Sequence, residues 1–152
     1  MKIYLVCTLD SEHYREPYFY FFETAHRAQE WIVNNLSGKR DCRNVDGSKD
    51  QIMRIDYLCE NGDFYEIEIK DGDYLCIYHH AYDGVGFYVE KIGTLEECKN
   101  QMLDSTAKIA NDYDIDIIDD DVLEVNLFDS CIDDGCQWHM HDIIQFKVSE
   151  IM

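Results

Sequence analysis

The sequence contains one proline, Pro17, and only eight glycines in 152 residues. Neither a proline-rich spacer nor a glycine-rich flexible linker is written into it. Cations are scarce as well: thirteen Lys and Arg stand against thirty-two Asp and Glu, a formal charge of −19. Nucleic acid and anionic membrane are bound largely through Lys and Arg, so such a surface repels both. No run of eighteen apolar residues occurs, and no transmembrane helix is expected. The opening Met1-Lys2-Ile3-Tyr4-Leu5-Val6-Cys7 reaches Asp10 and Glu12 too soon for a secretory signal. A Walker loop, a dinucleotide glycine fingerprint and the local motifs of serine and cysteine hydrolases are all missing.

What is present is a core. Hydrophobic residues make up 46% and aromatics 13%, well away from the composition of disordered acidic chains. The length suits a single domain over 1–152 that buries roughly 68–70% of its unfolded surface. Cysteines stand at 7, 42, 59, 76, 98, 131 and 136, an odd set. Cys7, Cys59 and Cys76 lie in apolar runs where a thiol acts as a small hydrophobe. Reduced thiols, and hence the cytoplasm, are the expectation.

Periodicity predicts an α+β chain, a mostly antiparallel sheet of about six to eight strands with helices over about 25–36 and 95–111. Lys2–Leu9 and Tyr18–Phe22 read as strands, rich in β-branched and aromatic residues. Thr24 is placed to cap a helix whose Ala25, Ala28, Trp31, Ile32 and Leu36 share one face. Period-two segments follow at Ile52–Cys59, Phe64–Lys70, Tyr74–Tyr78 and Phe87–Ile92, with Asn61-Gly62 read as a type I′ turn between the first two. Thr94 and Glu97 form a capping box that opens the second helix, with Leu95, Cys98, Met102, Ile109 and Ala110 inward. Strands are expected at Val122–Phe128 and Ile143–Val148. Strand, strand, capping threonine and helix recur, which suggests two ββα-like halves.

The acid is unevenly spread. Residues 1–50 carry seven basic and eight acidic residues, 51–100 four and eleven, and 101–152 two and thirteen. A strip formed by Asp112, Asp114, Asp116, Asp119, Asp120, Asp121, Glu124, Asp129, Asp133 and Asp134 is the candidate partner-binding surface. Asp112, Asp114 and Asp116 start like a calcium loop. The match then fails, because Ile117 and Leu123 occupy the positions that need Gly and Glu. Cys131, Cys136, His139 and His141 form the alternative, a zinc module, since two thiols and two imidazoles can complete a tetrahedron. Their spacing fits no common finger, and no cofactor is the favoured expectation. His79 or His80 beside Cys76 or Cys98 could pair a thiol with an imidazole, but no third group orients it, and no enzyme is expected.

The size, the aromatic-rich α+β body and the C-terminal acid at Asp112–Asp121, Asp129, Asp133 and Asp134 resemble the small acidic inhibitors that phages use against host CRISPR and restriction enzymes. That resemblance implies an anti-CRISPR-like or anti-restriction protein in the host cytoplasm. Its partner would be a basic nucleic-acid-binding protein, blocked at its nucleic-acid channel by charge mimicry. It implies no direct nucleic-acid binding and no membrane. A plain intracellular interaction domain is the remaining alternative, and it requires acid scattered over every face.

Overall fold

Residues 1–10, 16–36, 52–56, 60–81, 85–112, 123–125, 128–133 and 137–152 are described by the structure, a computed structural model. They form two helices and antiparallel strands in two sheets, an α+β fold. The chain divides into two compact units, residues 1–71 with 147–152, and residues 72–146.

In the first unit β1 (Lys2–Asp10) and β2 (Pro17–Phe22) are followed by helix α1 (Ala25–Asn35), then β3 (Ile52–Asp56) and β4 (Glu60–Glu68). The sheet runs β2-β1-β4-β3. Alternation along β1 sends Val6 and Tyr4 to the α1 side, where Val6, Phe22, Ala28, Ile32 and Phe64 make the core. Ile3, Leu5, Cys7 and Leu9 alternate to the other face and are equally buried. Thr24 accepts a hydrogen bond from the Arg27 amide at 3.1 Å, so the expected cap is in place. Trp31 packs on Tyr20, ring centroids 4.3 Å apart.

Asn61-Gly62 is not a turn. Both residues lie inside β4, opposite Leu9 and Thr8 of β1 and Asp56 and Ile55 of β3. Glycine is needed there for proximity, since a Cβ on Gly62 would run into the Cys7 carbonyl and the Thr8 Cα. Glu66 is buried on the α1 side, and its carboxylate pairs with Lys2 Nζ at 2.6 Å.

The second unit has β5 (Tyr74–Ala81), β6 (Gly86–Gly93), helix α2 (Leu95–Asp112), β7 (Leu123–Val125), β8 (Asp129–Asp133) and β9 (Trp138–Gln145). Its order is β6-β5-β9-β8-β7. The two units thus share a plan: a ββ hairpin, a helix, then strands that return so that the last pairs with the first. The second unit adds one edge strand. The expected ββα halves are present, carried by two sheets rather than one. Gly72 turns into β5 with φ +88°, a left-handed conformation that glycine adopts without strain.

Helix α2 begins at Thr94, whose hydroxyl accepts from the Glu97 amide at 3.1 Å. Cys98, Met102, Thr106 and Ala110, spaced four apart, are its buried stripe. Cys76, Cys98, Met102 and Ile143 join sheet to helix. Of the strand expected at 122–128, Leu123–Val125 is in place, while residues 122, 126 and 127 lie outside the described residues, and the last strand starts earlier than expected, at Trp138.

Candidate functional site

Register decides which side chains of the second sheet meet α2. Tyr78 lies opposite His141 of β9 and Tyr88 of β6, and His80 opposite His139 and Gly86. Directly opposed residues share a face, so these rings gather on the helix side. Tyr78 stacks with Tyr88 at 5.8 Å and 23° and with His139 at 6.1 Å and 11°. His80 stacks on Tyr88 at 6.1 Å, over the spot where a Cβ on Gly86 would sit 2.6 Å from its Nε2.

Between Cys76 and Ile77 the β5–β6 register slips, because Cys76 faces Lys91 and Ile77 faces Val89. Glu90 is the extra residue of that bulge. Its carboxylate accepts a hydrogen bond from His141 Nε2 at 2.9 Å. On the other side of the imidazole, Nδ1 lies 3.2 Å from Ser130 Oγ, which is 3.0 Å from Thr106 Oγ1. Burial alone would raise the Glu90 pKa. Hydrogen bonds from His141 and Ser105, with the charges of His141 and Lys108, outweigh it and hold the carboxyl below the usual range. Tyr78 Oη and His139 Nδ1 are hydrogen-bonded at 2.7 Å.

Serine, imidazole and carboxylate stand in line here, as in a hydrolase. Ser130 is only 3% exposed and is engaged by Thr106, so no substrate carbonyl reaches its Oγ. The chain of bonds ties β8, β9 and β6 to α2. It is a clamp.

Beside the clamp a cleft of about 480 Å³ opens, lined by Tyr78, Glu90 and His139 from the sheet and by Gln101, Asp104, Ser105, Lys108, Ile109 and Asp112 from α2. The helical residues follow a three-and-four spacing, one stripe flanking the buried one. Three carboxylates and one ammonium line it. Gln101 donates to Ser105 Oγ at 2.9 Å, which fixes the stripe's middle.

The sequence-predicted strip is only partly within the described residues. Asp112 ends α2 and lines the cleft. Glu124 pairs with Cys131 in the β7–β8 register, and Asp129 and Asp133 lie on β8 at positions that share the sheet face opposite α2 with Cys131. Asp114, Asp116, Asp119, Asp120, Asp121 and Asp134 fall outside the described residues.

The zinc alternative separates. His139 and His141 share a face, as their i, i+2 spacing predicts, and sit opposite Ile132 and Ser130. Cys131 opposes Met140 and therefore points to the other face. Cys136 lies outside the described residues. Among the described residues no three His, Cys, Asp or Glu side chains are grouped to hold a metal. Of the thiol–imidazole pairs, those with His79 separate: Cys76 is on the α2 face, whereas His79 is on the other, bonded to Asp142 Oδ2 at 2.8 Å. His80 shares the α2 face with Cys76 and stacks on Tyr88. Burial, followed by the charges of Glu90, Cys98 and Asp142, pushes the Cys76 thiol up to about 12.

Glu90, Asp104, Lys108 and Tyr78 were not legible as site residues. Nothing local paired Glu90 with His141, which comes from a strand fifty-one residues on. No family model, curated protein or solved structure matches this chain.

Proposed function

We propose that this chain is a non-enzymatic inhibitor whose acidic second unit docks into the basic nucleic-acid channel of a nucleic-acid-handling protein. A CRISPR or restriction nuclease of a phage's host is the partner class that its resemblance implies, and the cytoplasm is where it would act. One observation carries the reading. Residues 72–146 hold seventeen Asp and Glu against three Lys and Arg, a charge of −14, whereas the rest of the chain has fifteen against ten, or −5. A field so concentrated on one folded unit steers a cationic partner toward that unit, and it speeds association to as much as ~10⁸ M⁻¹s⁻¹ or more at low salt. Acid spread for solubility alone has no reason to give one unit about four times as many carboxylates per cation as the other.

Affinity capture with the intact protein, at low and high salt and with competing nucleic acid, tests this. A nucleic-acid-binding protein should be recovered, with capture falling steeply as salt rises and as nucleic acid is added. Replacing Asp112, Asp114, Asp116, Asp119, Asp120 and Asp121 by lysine should abolish it. Capture indifferent to salt and to that reversal removes the electrostatic account and leaves an interaction domain of another kind.

A further inference from the structure

The polar cleft of the second unit carries a chemistry that bulk charge does not. Its walls are the Tyr78 ring and the His139 imidazole, stacked at 11°, and its rim is the α2 stripe from Gln101 to Asp112. Glu90 is already taken up by His141. Asp104 and Asp112 lie on the exposed side of the helix. Neither has a hydrogen bond or ion pair among the described residues. Each stands four residues from Lys108, one turn to either side. Among the described residues the lining therefore has two uncommitted carboxylates, one ammonium and planar aromatic walls.

That combination selects among ligands. A phosphate or carboxylate meets three anions to one cation and is repelled. A neutral ring stacks but leaves the two carboxylates without partners. A compact ammonium satisfies a carboxylate but uses the flat walls poorly. A guanidinium does both, because its planar fork pairs with carboxylate oxygens and its face lies on tyrosine or imidazole rings. We infer that this cleft is the receptor for an arginine side chain, seated between the Tyr78–His139 wall and the Asp104–Asp112 rim. The rim is exposed, so the side chain stays partly wet and binds weakly by itself. It belongs to a larger body, and the identification of that body as the basic protein rests on the function proposed above. Lys108 is the competing cation already in the cleft, which makes the proposal signed: removing it must help an incoming guanidinium and hurt an incoming anion.

The test is an NMR titration of the intact protein with N-acetyl-arginine amide, against N-acetyl-lysine amide at equal ionic strength. Arginine amide should shift resonances of Tyr78, His139 and Ser105 and bind more tightly than lysine amide. Asp104→Asn should weaken it about twofold to fivefold, the range of an exposed ion pair. Lys108→Ala should strengthen it by a similar factor. Shifts spread over the whole acidic surface, equal for both amides, would overturn the cleft while leaving the charge reading intact. A weaker response in Lys108→Ala would overturn it too. Conversely, arginine-selective shifts at the cleft in a protein that captures no nucleic-acid-binding partner would sustain the cleft and end the decoy proposal. Asp104→Asn preserves the charge of the 112–134 strip, so the two failures are distinguishable.

Discussion

Glu90 Oε1 lies 2.9 Å from His141 Nε2, fifty-one residues away in sequence, and Glu90 is the extra residue of a β-bulge. Glu90 stands two residues beyond Tyr88, so alternation already places its carboxylate on the face that bears His141, and the bulge passes the place opposite Cys76 to Lys91. The contact closes the polar clamp, and Glu90 lines the cleft beside it. The imidazole is 1% exposed, so its donor has no other outlet.

Glu90→Ala should therefore destabilise the protein by about 1–3 kcal/mol, the cost of leaving a buried donor unpaired. Urea unfolding of the variant beside the wild type measures it. The sign with pH follows from the lowered Glu90 pKa: the pair stabilises above the ordinary carboxylate value of 4.5 and fades as pH falls through the lower native value. The gap between wild type and variant should narrow in that acid window. A gap that widens there would contradict the assignment.

Buried thiols predict an alkaline limb. Cys76 titrates near 12 in the native state and Cys7 well above its ordinary 9.0, both through burial first. The unfolded thiols ionise lower, so stability is complete below about pH 9 and declines as pH rises toward 12. In Cys76→Ala part of that decline should vanish. Pulsed alkylation of the native protein should modify Cys131, which is half-buried, ahead of Cys7 and Cys76. Equal labelling of all three would count against closed packing around β1 and β5.

Gly62→Ala should cost about 1–3 kcal/mol by overpacking, as the added methyl meets main chain that cannot rotate away. Gly72→Ala should cost less through contact, because nothing lies within 4 Å of its Cβ position, and act instead through its positive φ. Thermal melts of both separate the two mechanisms. A neutral Gly62→Ala would place β4 in another register.

Opposed faces for Cys131 and the histidine pair make a further expectation concrete. A chelator should leave the melting temperature unchanged, and Cys131→Ser should shift stability by no more than about 0.5 kcal/mol. Stoichiometric zinc in the purified chain, lost together with that substitution, would restore the metal reading.

The helices and most strands were legible because their signals are local. Thr24 and Thr94 announce helix starts through a bond three residues long, and the four-residue stripe from Cys98 to Ala110 announces the buried side of α2. Thr106 was missed in that stripe, since its hydroxyl is tolerable there only because Ser130 meets it. Asn61-Gly62 was misread for a related reason. The same dipeptide that favours a tight turn also suits a strand squeezed between two neighbours, and the neighbours lie far away in sequence.

The amino-acid order alone determined the element types, the helix caps and the lopsided acid, because each depends on composition or on residues within one turn. Only the tertiary structure decided which face each side chain took. Strand register aligned Ser130 with His141, turned Cys131 away from the histidines and set Tyr78 between His141 and Tyr88. Register is a property of pairs of strands, and shifting it by one residue exchanges the two faces. No single segment of the chain carries that information.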